Sequence, residues 1–274
     1  MTTKEYFLPQ SLDEALNILA EHPSVLTMAG GTIAMPLING GISMPEMVMG
    51  LRQAGLDMVS QSNGTVSIGA TTTFSQIMDM DSIPMLQEAA RNVGGWAIRN
   101  MATVGGNLFS PPPSGDFAVA LLALDAEVKL VSHKGERMVP LSEFYTGFMT
   151  TALEPGELLT EIQVPVPEGQ TAYLKYGRRY ANTPAVVAVA VHVVMDKKKV
   201  KDARIALNAV APHPIRATQA EGALVGSALD EGSIAAAAAA AAEACEPFTD
   251  SIASEWYRRK MVDVYVQRTL ARLV

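Results

Sequence analysis

Cysteine is almost missing from this chain. Cys245 is the one thiol in 274 residues, which excludes an internal disulfide. It also excludes an iron–sulfur cluster carried by the chain itself, since such clusters take about four ligands; a buried, inert thiol is expected. Histidine is scarce as well. His22, His133, His192 and His213 stand apart, without His-Glu-x-x-His or any other close ligand spacing, so no metal site is expected. Positive charge is short: the net charge is −7, and Lys197-Lys198-Lys199 reads as a hairpin tip. Such a chain offers nothing to a phosphate backbone, and no nucleic acid partner is expected. Long apolar runs are absent too. Val186 to Met195 is interrupted by His192 and falls short of the roughly 18 residues that suggest a membrane span. The opening MTTKEYFLPQ lacks the apolar stretch of a signal peptide. The expectation is a soluble, cytoplasmic protein with no membrane span.

Several common motifs are also missing. No two glycines stand at i and i+2, so G-x-G-x-x-G does not occur, and G-x-S-x-G is absent. Gly50 to Gly55 and Gly64 to Gly69 have the glycine spacing of a P-loop, but no Lys follows either pair. Both read as ordinary turns.

What the chain has is a globular composition, 49% apolar and 18% charged, and a length that exceeds the roughly 100–200 residues of one domain. YFLPQSLDEALNILAEHP predicts a short strand and a helix with Ser11 and Glu14 as a capping box. SVLTMAGGTIAMPLINGG predicts a strand over Val25–Ala29, a Gly30-Gly31 turn and a short helix. A second unit over 57–168 begins with a β segment and a helix capped by Thr73 and Gln76. It continues with helices over Ile83–Val93 and Ala118–Leu124, and a strand over Glu127–Ser132 that turns at Lys134-Gly135. From Gln170 onward long antiparallel strands are expected (Ala172–Gly177, Ala185–Met195, Ala203–Val210) and then helices, including an alanine-rich one started by Ser233.

Two glycine pairs carry the functional signal: Ala29-Gly30-Gly31-Thr32 and Thr103-Val104-Gly105-Gly106-Asn107. Glycine lets the backbone approach a ligand, and successive N–H groups can form a concave anion nest suited to a diphosphate. Gly31 also precedes an expected helix start, where unpaired N–H groups favour an anion. The alternative for either pair is a plain tight turn. Asp116 follows at the end of SPPPSGD, where it is placed to cap the helix that begins nearby.

TMAGGTIAMPLI, SIGATTTFSQI, RNMATVGGNLFSPPPSGDFAVALLALDAEVKL and YLKYGRRYANTPAVVAVAV occur in this order, and SEWYRRKMVDVYVQRTLARL ends the chain. Together they resemble the FAD-binding medium subunit of molybdenum hydroxylases, the family of carbon monoxide dehydrogenase and xanthine dehydrogenase. The resemblance implies an α+β fold. Two FAD-binding subdomains of the vanillyl-alcohol oxidase (PCMH) type, 1–56 and 57–168, would precede a C-terminal domain of antiparallel sheet and helices over 169–274. By the same resemblance, Ala29, Gly30, Gly31, Thr32 and Ile33 match the first phosphate loop, and Thr103, Val104, Gly105, Gly106 and Asn107 the second. Asp116 falls at the family spacing for an acid that contacts the cofactor, while Leu159 and Lys175 match positions beside the flavin. Lys175 would set positive charge near the ring, or else be a solvated strand residue. Ile33 departs from the Ser, Asp or Glu of many relatives, and Val93 from an aromatic residue of the xanthine dehydrogenases. Pro184 stands where some relatives place a side chain near the ring, and Arg178 and Arg179 would lie at the same mouth or meet a neighbouring subunit.

The resemblance implies an oxidoreductase subunit that transfers electrons. A molybdenum-pterin centre in a large subunit and [2Fe-2S] clusters in a small one would feed FAD held by this chain, in a heterotrimer or a dimer of heterotrimers. The lone cysteine agrees with clusters carried elsewhere. Two other readings stand beside it. A stand-alone flavin oxidoreductase would use the same cofactor fold, although neither glycine turn offers a His or Cys to tether a flavin. A non-catalytic assembly subunit would keep the fold without FAD.

Overall fold

The computed structural model describes residues 3–274. It begins with β1 (Glu5–Phe7), α1 (Leu12–Glu21), β2 (Leu26–Met28), α2 (Ala34–Asn39) and β3 (Met47–Gly50). Ser11 Oγ accepts the Glu14 N–H, and the Glu14 carboxylate turns back to the N–H of Gln10 at 2.7 Å. The return bond of the expected capping box therefore lands one residue early. Ala15, Leu16 and Leu19 form the buried side of α1. The three strands lie in the order β1-β3-β2, both pairings parallel. The middle strand, MVMG, was not foreseen, because four residues show no period.

The second stretch runs through β4 (Val59–Ser62), β5 (Thr65–Gly69), α3 (Phe74–Met78), α4 (Pro84–Arg91), α5 (Trp96–Arg99), α6 (Val104–Leu108), α7 (Phe117–Ala123), β6 (Glu127–Ser132) and β7 (Gly135–Pro140). It closes with α8 (Leu141–Phe144), a small hairpin of β8 (Tyr145–Gly147) and β9 (Thr150–Thr151), and β10 (Leu158–Pro165). Thr73 and Gln76 form the expected reciprocal capping box on α3. The helix expected from Ile83 is shorter at both ends, entering at Pro84, whose missing N–H is harmless in a first turn, and stopping at Arg91. The sheet is antiparallel throughout, in the order β4-β5-β10-β6-β7. Every residue of α7 is buried, as expected of a helix that is apolar all round.

The third stretch contains β11 (Gln170–Gly177), β12 (Ala185–Asp196), β13 (Lys199–Asn208), β14 (Ile215–Arg216), α9 (Thr218–Leu224), α10 (Glu231–Glu243) and α11 (Glu255–Leu270). Its sheet is antiparallel in the order β11-β12-β13-β14. The continuous apolar run of β12 follows from burial on both faces. Ala188 and Ala190 face the core that includes α7, while Val187, Val189, Val191 and Val193 face α9, α10 and α11. Asp230, not Ser233, starts the alanine-rich helix: its carboxylate takes the Ser233 N–H, and the Ser233 hydroxyl returns the bond at the third helical position. The fully buried Arg258 of α11 donates to the carbonyls of Ala185, Val186 and Ala209 and to the Asp250 carboxylate, tying the last helix to the strand ends. Among the described residues no helix is long and apolar enough to cross a membrane, and no group of His, Cys, Asp and Glu could hold a metal ion.

Candidate functional site

A cavity of about 660 Å³ opens where the three stretches meet, within the size range of small-molecule and cofactor sites. The loop between β2 and α2 forms one wall. Here the N–H groups of Gly30, Gly31, Thr32 and Ile33 have no acceptor among the described residues. Gly31 sits at φ +70°, a left-handed geometry that brings neighbouring amides onto one side and that residues with a Cβ adopt at a cost. Gly30 is required for another reason, since a Cβ there would collide with the Met101 carbonyl. Because α2 is only six residues long, the positive character of this wall belongs to the local amides rather than to a long helix.

The second glycine pair is built differently. Thr103 bridges Thr73 in antiparallel fashion. The Val104 N–H donates to Thr72 O and the Gly105 N–H to Ala70 O, both at 2.9 Å. The Gly106 N–H donates to Thr103 Oγ1 at 3.1 Å as a helix cap. These amides are therefore engaged by the fold, which corrects the expectation of a second free nest. Gly105 is small because a Cβ would stand 2.7 Å from Ala70 O, whereas Gly106 meets only Thr103 Oγ1 at 2.9 Å within close range and lies exposed on the cavity wall. Val104 does not reach the cavity; it is fully buried in the core.

Asp116 lies at the deep end of SPPPSGD, 6% exposed. It occupies the cap position of α7 but makes no capping bond with its side chain; Asn107 Oδ1 takes the Phe117 N–H instead, at 3.2 Å. The capping alternative is thereby corrected. The carboxylate instead meets Lys175 Nζ at 2.6 Å through Oδ2, and Asn208 Nδ2 at 3.3 Å through Oδ1. Lys175 also donates to Asn92 O at 3.0 Å, and its side chain is 7% exposed. It is not a solvated strand residue. Burial pushes the Asp116 carboxyl above its ordinary range, while Lys175 and Asn208 pull it back.

Ala29, Gly30, Gly31, Thr32, Ile33, Val93, Thr103, Gly105, Gly106, Asn107, Asp116, Leu159 and Lys175 all border this one cavity. Arg178 and Arg179 do not border it; both are exposed, Arg178 donating to Ser251 O and Arg179 to the carbonyl of Asn182, which does border the cavity. Thr71 also borders the cavity and was missed. Its hydroxyl is buried with no partner, and only its place in the run Thr71-Thr72-Thr73 hinted at it. Asn208 was missed as well. Its signal was one amide inside an otherwise apolar strand end, IALNAV, where a buried polar group must find a partner.

Residues 2–167 match the FAD binding domain in molybdopterin dehydrogenase, and residues 172–273 match the CO dehydrogenase flavoprotein C-terminal domain. The chain belongs to the FAD-binding medium subunits of the molybdenum hydroxylases. This flavoprotein subunit is 34% identical to the carbon monoxide dehydrogenase medium chain of Afipia carboxidovorans, over 98% of its own length and 96% of the relative's. It is 32% identical to the glyceraldehyde dehydrogenase medium chain of Sulfolobus acidocaldarius, with coverage of 96% and 95%. Among solved structures it is similar to reconstituted CO dehydrogenase from Oligotropha carboxidovorans, with a TM-score of 0.94, 33% identity and coverage of 98% and 96%. Quinoline 2-oxidoreductase from Pseudomonas putida 86 gives 0.92, 30% identity and the same coverage. The mixed helix-and-sheet architecture and the FAD assignment agree with the expectations from sequence. The flavoprotein subunit is part of an oxidoreductase. FAD fits the donor set, because four amides without an acceptor belong to residues that line a cavity of cofactor size.

Proposed function

We propose that this subunit passes electrons from [2Fe-2S] clusters of a small partner subunit to an external acceptor, with FAD held in the cavity between its three domains, 1–56, 57–168 and 169–274. FAD supplies chemistry that accepts electrons singly and releases them in pairs. The chain's own residues bind and orient it. The amides of Gly30, Gly31, Thr32 and Ile33 hold the diphosphate, with Ala29 leading into the loop. Thr103, Gly105, Gly106 and Asn107 form the opposite wall, on which Gly106 leaves room for the backbone to approach. Asp116 accepts hydrogen bonds from cofactor hydroxyls or ring N–H groups, and Val93, Leu159 and Lys175 border the ring. A molybdenum-pterin large subunit completes a heterotrimer, single or doubled, in the cytoplasm.

The observation that carries this reading is the row of unpaired amides at Gly30–Ile33, since unsatisfied backbone donors beside a cavity call for an acceptor. Affinity isolation through a tag on this chain, followed by anaerobic mixing with reductant supplied at the large subunit, tests the relay. Flavin absorbance should bleach after that of the iron–sulfur clusters. Clusters that reduce while bound flavin stays oxidised would contradict the relay without touching FAD binding.

A further inference from the structure

Lys175 of β11 and Asn208 of β13 both stand in register with Ala188 of the intervening β12. They form one row across the C-terminal sheet, on the face turned to α7. With a methyl group between them, the row has a gap at its centre. The Asp116 carboxylate, at the start of α7, sits over that gap and is reached from both sides, by Lys175 Nζ on Oδ2 and Asn208 Nδ2 on Oδ1. The next row on this face, Tyr173–Ala190–Ala206, is equally flat at its centre, and α7 packs there. Asn208 is 1% exposed and also donates to Ser114 O at 3.4 Å, so the amide that meets the carboxylate holds the loop before it. Ser114, Gly115 and Asp116 border the cavity, but Asn208 does not.

We propose that Asn208 is a positioning residue for FAD binding: it fixes the Asp116 carboxylate, and the SPPPSGD loop that carries it, in the orientation the cofactor meets. The inference rests on FAD lying in this cavity. A carboxylate with two oxygens can turn about its last bond. Lys175 alone restrains one oxygen, and a second donor on the other oxygen fixes the plane. Asn208 has no charge of its own, so it adds a bond to the ionised form without adding a second cation. The other groups facing Asp116 are few. Tyr173 of β11 is fully buried with an unpartnered hydroxyl, Glu88 of α4 is paired with Arg272, which also donates to the Tyr173 carbonyl, and α7 itself brings only apolar side chains. Without Asn208, burial is opposed by Lys175 alone, and the carboxylate takes up a proton at higher pH.

The test measures FAD affinity against pH in the intact complex, stripped of flavin and titrated back with FAD, for the parent and for Asn208→Leu. In the variant the acid limb of FAD binding should move upward by about one pH unit or more, in line with loss of a hydrogen bond to a charged group. A merely structural role would weaken binding equally at every pH, and that result, or an unmoved acid limb, overturns the inference. Should the leucine variant fail to fold, Asn208→Asp keeps the shape and replaces a donor with a second acid, which should move the limb upward further; an unmoved limb there also overturns it. Asp116→Asn should remove the pH-dependent limb in either background. A parent complex that binds no FAD at any pH would overturn the functional reading, and this inference with it; parental binding with an unmoved variant limb overturns this inference alone.

Discussion

Lys175 Nζ lies 2.6 Å from Asp116 Oδ2, with both side chains less than a tenth exposed. The pair joins β11 to the start of α7 across the cavity floor. Removing one partner of a buried ion pair leaves the other uncompensated, at a cost of about 3–5 kcal/mol. Lys175→Met should therefore unfold at markedly lower denaturant than the parent. The pH dependence has a definite sign. The native Asp116 carboxyl is raised by burial, so its contribution to stability is fully present below the unfolded value and is lost as pH rises through the native one. In Lys175→Met the native value rises further and that loss extends to higher pH. The difference from the parent should be larger at alkaline than at acid pH in chemical denaturation. A constant difference would show that the ion pair is not its source.

The two glycine turns should respond differently to substitution. Gly105→Ala places a Cβ 2.7 Å from the Ala70 carbonyl and should cost stability by about 1–3 kcal/mol, as overpacking does. Gly106→Val faces the cavity, so its main effect should be on FAD affinity, with a loss of about tenfold or more, equivalent to about 1.4 kcal/mol. Gly31→Ala forces a Cβ into the left-handed region at φ +70°, a cost of about 1–2 kcal/mol, at the wall with the free amides. Thermal melts and FAD titrations of the three variants separate these outcomes. Equal effects of Gly105→Ala and Gly106→Val on both readouts would refute the division.

Cys245 is 3% exposed, and burial pushes its thiol up to about 12. Because the thiolate is the reactive form, a thiol reagent at mildly alkaline pH should leave the native protein unmodified and label one site per chain after denaturation. Rapid labelling of folded protein would show that the region around α10 opens readily.

Local signals were strong where side chains and backbone agreed over a few residues. The Glu127–Ser132 strand appears with the expected bounds, although its turn falls at His133-Lys134 and Gly135 already opens β7, and Thr73 caps α3 together with Gln76. Three places behaved differently. Met47–Gly50 is a central strand because β1 and β2 flank it, a tertiary fact that four residues do not encode. Val104 sits inside a motif whose other residues border the cavity, yet its direction is set by the single turn of α6. Asp116 had the position of a cap, but a lysine 59 residues later takes its carboxylate. The fate of an amide was equally hidden: Gly30–Ile33 and Val104–Gly106 read alike as glycine turns, and the carbonyls of Ala70 and Thr72 together with the Thr103 hydroxyl tell them apart.

The most direct measurement is the flavin content of the tagged chain, isolated with the subunits that accompany it. Flavin is released by acid precipitation, identified and counted against the chain. The account predicts one FAD per chain, released without a covalent bond, and marked loss of it in Gly31→Ala. A folded chain that carries none, and takes up none after incubation with FAD, would contradict it.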